Sequence, residues 1–215
     1  MAHTYSRTRR HLIAGTVGAA AIALLLTACG DDEPSPNETG SPEPTLTAPP
    51  TQTPEDEART EIEATYNQLI TKIDAYYQNA SDFGGQPGWN AELVGTWPLL
   101  RDAELEVTNW VGYFHESGTE QVGDTVTTSH EIDALQLSDG NAGTASTATS
   151  IACQDMSGVT YETYDGQSAD LPIPPPQFQV WTMTWIFQPE AAPESGVETP
   201  GWYIDTIEVA VDEPC

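Results

Sequence analysis

Positive charge is scarce in this 215-residue chain, which has six Lys and Arg residues against 33 Asp and Glu and a formal net charge of −27. Beyond the first ten residues only Arg59, Lys72 and Arg101 are cationic. A polyanion such as nucleic acid is repelled by a surface of this sign, and anionic lipid headgroups are repelled as well. The composition therefore argues against a nucleic-acid partner. The excess of acidic residues can serve solubility, and adaptation of the source organism to high salt would explain it equally well.

Metal-binding side chains are also few. The chain has four histidines and three cysteines, and only His115 and His130 follow residue 28. No run of the form D-x-[DN]-x-[DN]-G, which would indicate a calcium loop, occurs in the sequence. We therefore expect neither a metal site nor a cofactor.

A long apolar run is missing too. Residues 1–28 contain no Asp or Glu, and Arg7, Arg9 and Arg10 precede a mostly apolar stretch at 12–26. A membrane-spanning helix needs about 20 predominantly apolar residues, so this shorter stretch is better read as the core of an export signal. The Arg9-Arg10 pair partly fits a twin-arginine signal, which leaves that route and the general secretory route both open.

The end of this signal, Leu26-Thr27-Ala28-Cys29, resembles the lipobox of bacterial lipoproteins. The resemblance implies that Cys29 is diacylated and becomes the first residue of the mature protein, on the extracytoplasmic face of the cell membrane. A secretory signal followed by a chance cysteine is the alternative. With Cys29 acylated, Cys153 and Cys215 remain, and an oxidising compartment would let them form a disulfide.

Two further segments follow the signal peptide at 1–28. Residues 29–53 are rich in Pro, Thr and acidic residues and have Leu46 as their only large apolar residue, so they predict a disordered tether behind the lipidated cysteine. Residues 54–215 are long enough for one globular domain with its own core.

The domain is predicted to begin with two helices. Thr53 is a suitable cap and Pro54 a suitable first residue for a helix that ends near Ala80. A second helix is predicted from about Pro98 to a stop at Gly118. The apolar residues that keep the helical period are Ala58, Ile62, Tyr66, Leu69, Ile73, Tyr76 and Tyr77 in the first helix, and Leu100, Ala103, Val107, Trp110, Val111 and Phe114 in the second.

After Gly118 the apolar period changes to two, which predicts strands. The chain should turn at 139–141 and pass through a rigid proline-rich loop at 171–176. We expect the fourth strand to be central and the last to contain a bulge near Asp205. The predicted strands are 122–137, 142–153, 159–164, 178–187 and 202–211.

This order of elements resembles the NTF2-like (SnoaL-like) fold, and its details resemble a group of actinobacterial lipoproteins. The matching motifs are Cys-x-Asp-x-Ser at 153–157, a Gly-Trp-x-Ile run at 201–204 that lacks the spacer residue of the group, and the terminal Cys215. The resemblance covers roughly residues 55–215. It implies an α+β cone in which two N-terminal helices pack on a curved antiparallel sheet of four to five strands.

The resemblance also suggests where a site would lie. NTF2-like enzymes place an Asp with a His or a Tyr inside the cone, so His130 and Asp155 are the candidates for catalysis here, with Asp205 as a further carboxylate. Either residue could equally be structural, and we assign no catalytic residue. The candidates for a ligand pocket are Tyr66, Trp181 and Trp185, because Trp181, Met183, Trp185 and Phe187 share one face of a strand.

We therefore expect a lipid-anchored, non-catalytic binding or accessory module of the cell envelope, with a small apolar ligand or another envelope protein as its partner. The alternative is an isomerase, dehydratase or cyclase of NTF2-like type. An enzyme needs a pocket in which at least two ionisable side chains converge, whereas an interaction module needs an exposed apolar surface. A third possibility is a spacer in the cell wall whose folded domain only presents charge.

The anchor can be tested by changing Cys29→Ala. Because the sulfur is the predicted site of acylation, this change should release the protein from the membrane or leave its signal uncut. Fractionation of cells and the mass of the product measure both effects, with Ser35→Ala in the tether as the control. Retention and processing that survive Cys29→Ala would contradict a lipid anchor.

Overall fold

The first helix begins where the sequence predicts. The computed structural model describes residues 52–140, 144–169 and 176–211, and its helix α1 spans Pro54–Tyr77. The Thr53 hydroxyl accepts a hydrogen bond from the Asp56 amide at 3.2 Å, and the Asp56 carboxylate accepts one from the Thr53 amide at 3.2 Å. This reciprocal capping box fixes the start of α1. The helix ends at Tyr77, slightly before the predicted Ala80, and a 3-10 turn follows at Ala80–Asp82.

The predicted apolar face of α1 is confirmed. Its side chains reach a common core with relative exposures no higher than 6 %, which is the result expected of residues repeating every three or four positions. Tyr77 is half-buried beside them. The buried members are Ala58, Ile62, Tyr66, Leu69, Ile73 and Tyr76.

Two further α-helices lie in the described residues, whereas the sequence predicted one. Helix α2, Trp89–Val94, follows a segment dense in Gly and Pro that hid it from sequence analysis. Helix α3, Arg101–Glu116, starts later than the predicted Pro98. The reason is that the preceding residues are extended: the Leu100 amide donates to the Ile204 carbonyl at 2.9 Å, and the Ile204 amide donates to the Pro98 carbonyl at 3.0 Å.

The strands form two antiparallel sheets in the described part of the chain. One is four-stranded with the order β2-β3-β5-β6, and the other pairs β1 with β4. Helices packed on antiparallel sheets define an α+β fold, as predicted. The strands are Thr119–Val122 (β1), Val126–Gln136 (β2), Thr147–Asp155 (β3), Thr160–Thr163 (β4), Phe178–Gln188 (β5) and Gly201–Val211 (β6).

The predicted strand 122–137 is wrong at its start, because β2 begins only at Val126 and Val122 instead ends β1, a strand that was not predicted. Gly123 has φ +96°, a conformation that interrupts the ladder and leaves β1 and β2 in different sheets. Likewise β3 starts at Thr147 and not at residue 142. Residue 141 of the predicted turn, residues 142–143 of the predicted second strand and residues 171–175 of the predicted proline loop lie outside the described residues.

The predictions for the last two strands are confirmed. Strand β5 lies between β3 and β6, so it is an inner strand. The pairing of β5 with β6 shifts register between Thr184 and Trp185, which are opposite Thr206 and Ile204. Asp205 is therefore the extra residue of a β-bulge, at the position where the sequence predicted one.

The main core lies between the helices and one face of the four-stranded sheet. Trp181, Met183 and Trp185 of β5 are at most 5 % exposed and pack with the buried faces of α1 and α3. The opposite face carries a smaller cluster of Leu100, Val197 and Tyr203. No helix within the described residues is both long and apolar enough to cross a membrane.

A buried carboxylate joins α1 to the break between β1 and β2. Asp74 is 8 % exposed. Its oxygens accept hydrogen bonds from the Gln121 side-chain amide at 2.9 Å, the Thr125 backbone amide at 3.0 Å and the Thr125 hydroxyl at 2.7 Å. The donors flank Gly123 on both sides, so one carboxylate holds both ends of the segment that carries the chain from one sheet to the other.

We expect Asp74→Ala to lower the free energy of unfolding by about 3 kcal/mol, because it leaves buried donors of Gln121 and Thr125 without an acceptor. Urea unfolding followed by circular dichroism measures the loss. The control is Asp124→Ala, which removes an exposed carboxylate that accepts one side-chain hydrogen bond, from Gln78. A cost for Asp74→Ala no larger than that of the control would contradict the assigned role.

Candidate functional site

A cavity of about 600 Å³ lies between helices α1 and α3 and the sheet. Its volume falls within the range of small-molecule sites, about 300–1,000 Å³. The walls are mainly apolar, and they come from elements that are distant in sequence but close in the fold. Its apolar wall residues include Ile70, Ile73, Trp110, Trp181, Ile207 and Val209.

The two tryptophans of the cavity lie side by side, with ring centroids 5.8 Å apart. Each indole N–H is already used inside the protein: Trp110 donates to the Glu106 carboxylate at 2.9 Å, and Trp181 donates to the Gln179 side-chain carbonyl at 2.9 Å. These hydrogen bonds fix the orientation of both indoles. The rings therefore offer the cavity their apolar surfaces and not a free donor.

Two glutamates, Glu106 of α3 and Glu208 of β6, are also among the lining residues. Glu106 is exposed and borders the cavity where it meets solvent. Glu208 alternates with Ile207 and Val209 and pairs with Thr182, so its side chain lies on the outer face of the sheet. Lys, Arg and His are absent from the lining, which consists entirely of described residues. Glu106 therefore supplies the charged side chain at the entrance to the cavity.

The inner wall includes Gln154 of β3, which has no exposed surface. Its side-chain amide donates to the Tyr66 hydroxyl at 2.7 Å, and that hydroxyl also lies 3.1 Å from the Thr127 hydroxyl. The Gln154 Oε1 atom, by contrast, has no hydrogen-bond partner among the described residues. This atom has no accessible surface, so it is an unpaired acceptor inside the wall and not a contact point for a ligand.

Of the three predicted pocket residues, only Trp181 lines this cavity. Trp185 lies deeper in the core, where its indole N–H donates to the Ser150 hydroxyl at 2.8 Å. Tyr66 is fully buried, with its ring stacked on His130 at a centroid distance of 4.1 Å. Strand alternation places Trp181 and Trp185 on one face, but it does not show how far along β5 the helices close over that face.

The catalytic candidates are not brought together in the cavity. His130 is half-buried on β2, and its Nε2 atom lies 3.0 Å from the Ser150 hydroxyl. That hydroxyl accepts from Trp185, and it can donate to His130 only if the imidazole is neutral. Burial accordingly lowers the pKa of His130 from its ordinary value, with a smaller opposing effect from Glu63.

Asp155 has a structural role at the end of β3. Its carboxylate accepts a hydrogen bond from the Ser157 amide at 2.8 Å, which stabilises the turn after the strand. The hydrogen bonds with the side chain and backbone of Ser157 lower the pKa of Asp155. The remaining candidate, Asp205, pairs with Arg101 at 3.3 Å in the bulge of β6.

The cysteine predictions fall partly outside the described residues, which include neither Cys29 nor Cys215. Cys153 is buried in β3 and is disulfide-bonded. Its pairing with Cys215 stays a prediction. No group of three or more His, Cys, Asp or Glu residues in the described part of the chain is arranged to hold a metal ion.

The positions of Glu106 and Gln154 at this cavity were not predicted from the sequence. Two signals were available: Glu106 and Trp110 are four residues apart on a helix, and Gln154 occupies a core-facing position of β3. Neither signal distinguishes a ligand site from local packing, because the cavity exists only once two helices and several strands meet. The missing residues therefore needed the tertiary structure.

Comparison with known proteins assigns no family, since no family model and no curated protein matches the chain. Among solved structures, the chain is similar to the intermembrane space region of the chloroplast protein ARC6. The match covers 76 % of this chain and all of that one, with 13 % identity and a TM-score of 0.40. A similarity this distant carries no argument about function.

The buried position of His130 makes stability depend on pH. A histidine whose folded pKa lies below its unfolded value of 6.5 makes its full contribution to the free energy of unfolding above pH 6.5. That contribution is lost as the pH falls through the folded pKa. The difference in unfolding free energy between wild type and His130→Gln should therefore shrink from pH 8 to pH 5. Urea titrations of both proteins at each pH measure it, and a constant difference would contradict the burial effect.

Proposed function

We propose that this chain is a lipid-anchored protein of the extracytoplasmic face whose folded domain is a non-catalytic module that binds a small apolar ligand. Residues 1–28 act as the export signal, Cys29 carries the lipid, and the segment to residue 53 is a tether. The lipobox motif and the absence of acidic residues before Cys29 support the anchor. A disulfide between Cys153 and Cys215 is part of the proposal, and the bonded state of Cys153 is in line with it.

The observation that carries the binding role is the cavity between the helices and the sheet. Ile73, Trp181 and Ile207 wall it with side chains that are at most 7 % exposed, so its surface is built from the main core. Filling it with an apolar molecule would remove further apolar surface from water, at about 25 cal/mol for each Å². The favoured ligand is therefore predominantly apolar.

The finer assignment of the fold, an NTF2-like cone, is also a proposal. It is supported by helices on one face of a four-stranded antiparallel sheet and by irregular pairing in the two outer strands. Register shifts occur in β2 beside Thr127 and Ile132 and in β6 at Asp205. Bulges of this kind bend strands, as a cone requires.

Acid–base catalysis is not what we propose for this cavity. Neither His130 nor Asp155 lines it, and the Glu106 carboxylate lies at its solvent side. An accessory role toward another envelope protein is a second candidate, favoured by the outer surface of α3. There Leu105 and Tyr113 are 63 % and 71 % exposed.

Blocking the cavity tests the binding role. Val209→Trp places an indole among the wall residues, so it should abolish saturable binding of the neutral apolar dye Nile red, measured by its fluorescence. The control is Ile151→Trp, which adds the same ring on the outer face of β3, where Ile151 is 39 % exposed. Circular dichroism verifies that both variants fold. Equal dye binding by wild type and a folded Val209→Trp protein would contradict the proposal.

A further inference from the structure

One hydroxyl group in the lining of the cavity, that of Tyr77, is not used inside the protein. We infer that the ligand is an apolar carbonyl compound, and that Tyr77 selects it by donating a hydrogen bond to the carbonyl oxygen. This inference rests on the proposed binding function and adds the polar group of the ligand to it. It depends on where Tyr77 lies, on what its hydroxyl lacks, and on the charges of the lining.

Tyr77 lies on the side of α1 that faces the cavity. It follows Ile70 and Ile73 at helical spacing, and all three residues belong to the lining. Its ring packs on that of Phe114 in α3, with centroids 4.2 Å apart and planes inclined by 35°. On α1 itself the ring of Tyr76 lies 5.4 Å away. These contacts hold the Tyr77 ring in place, so its position does not depend on a ligand.

The other two tyrosines of α1 use their hydroxyl groups inside the protein. The Tyr66 hydroxyl accepts from the Gln154 side-chain amide at 2.7 Å, and the Tyr76 hydroxyl donates to the Val111 carbonyl at 2.7 Å. The Tyr77 hydroxyl has no such partner among the described residues. A hydroxyl group away from bulk water that makes no hydrogen bond is unfavourable, so a ligand acceptor at this position would be stabilised.

The Tyr77 hydroxyl is also within reach of a ligand. Burial raises the pKa of Tyr77, with smaller contributions from Tyr161 and Asp74, so the hydroxyl lies inside the domain and keeps its proton at neutral pH. It nevertheless retains accessible surface, and because Tyr77 lines the cavity, that surface faces the open space. The buried side-chain atoms of the described chain that lack both a partner and accessible surface belong instead to Gln121, Gln154 and Asp205.

A second unused donor lies in the same lining. The side-chain carbonyl of Gln179 accepts from the Trp181 indole at 2.9 Å, whereas its amide nitrogen has no partner among the described residues. Gln179 is opposite Gln154 of β3 and Val211 of β6, which line the cavity as well. An amide nitrogen can only donate a hydrogen bond, and the hydroxyl of Tyr77 is able to donate. Both unused groups therefore favour an acceptor on the ligand.

The charges of the lining favour a neutral acceptor over an anionic one. The cavity wall, built from described residues, includes no Lys, Arg or His, and its charged entrance residue is Glu106. A carboxylate that entered would lose its hydration without gaining a cation, and Glu106 would repel it. The carbonyl group of a ketone, aldehyde or ester supplies an acceptor without a charge. The favoured ligand is therefore an apolar molecule with a carbonyl group.

The test compares two neutral probes of the same shape: 2-acetylnaphthalene, a ketone, and 2-isopropenylnaphthalene, in which a methylene group replaces the carbonyl oxygen. Equilibrium dialysis measures the binding of each probe to the purified full chain. Tyr77→Phe removes only the hydroxyl, so it should weaken binding of the ketone about tenfold and change that of the hydrocarbon by less than about twofold. The control Tyr113→Phe removes an exposed hydroxyl of α3 outside the lining, and it should change neither affinity.

Two further measurements separate ligand recognition from a structural role of the hydroxyl. Because the Tyr77 hydroxyl has no partner in the described chain, Tyr77→Phe should not lower the free energy of unfolding without ligand, measured in urea. A clear loss of stability would assign the hydroxyl to an internal hydrogen bond and overturn the inference. The infrared C=O stretching band of the bound ketone should lie at lower wavenumber in wild type than in Tyr77→Phe, because a hydrogen bond weakens the C=O bond. Equal band positions would contradict the proposed contact.

The outcomes separate the two proposals. If Tyr77→Phe weakens both probes equally or weakens neither, or if Tyr113→Phe weakens the ketone as much, the carbonyl ligand is wrong while the apolar cavity stands. The same holds if Nile red binds to the wild-type chain and neither naphthalene probe does. If Nile red and both probes fail to bind to the wild-type chain, the binding function itself fails.

Discussion

The Asp74 carboxylate is the constraint on which the layout of this domain depends. It accepts hydrogen bonds from Gln121 and Thr125 on either side of Gly123, so it fixes the point at which the chain leaves the small sheet and enters the large one. Thr125 also lines the cavity, and Ile73, next to Asp74 in α1, forms part of its wall. One buried charge thereby sets both the path of the backbone and one side of the candidate site.

The bulge at Asp205 has a comparable effect on the other side. Arg101, at the first turn of α3, has φ +48° and pairs with Asp205. A positive φ is unfavourable for a residue with a side chain, and a strained position persists only where its surroundings hold it. The ion pair supplies that support, together with the backbone hydrogen bonds from Leu100 to Ile204 and from Ile204 to Pro98. They orient α3, and α3 contributes Glu106 and Trp110 to the cavity.

Local signals allowed much of this fold to be predicted. The cap at Thr53, the apolar period of α1, the inner strand β5 and the bulge at Asp205 all depend on residues close in sequence. The split at Gly123 could not be predicted, because a single glycine within an alternating pattern does not show that the next strand joins another sheet. The cavity could not be predicted for a related reason: Trp181 and Trp185 look alike in sequence, and only the position of the helices decides which one reaches open space.

The sparse cations of this domain have a consequence for how it responds to ionic strength. Arg59 and Lys72 are bonded to backbone carbonyl groups, and Arg101 with Asp205 forms the one ion pair found in the described residues. Within the described residues most carboxylates therefore have no ion-pair partner, and their mutual repulsion opposes compaction. Mobile counterions must supply the screening that other proteins build from their own side chains, so this fold should gain stability as dissolved salt increases.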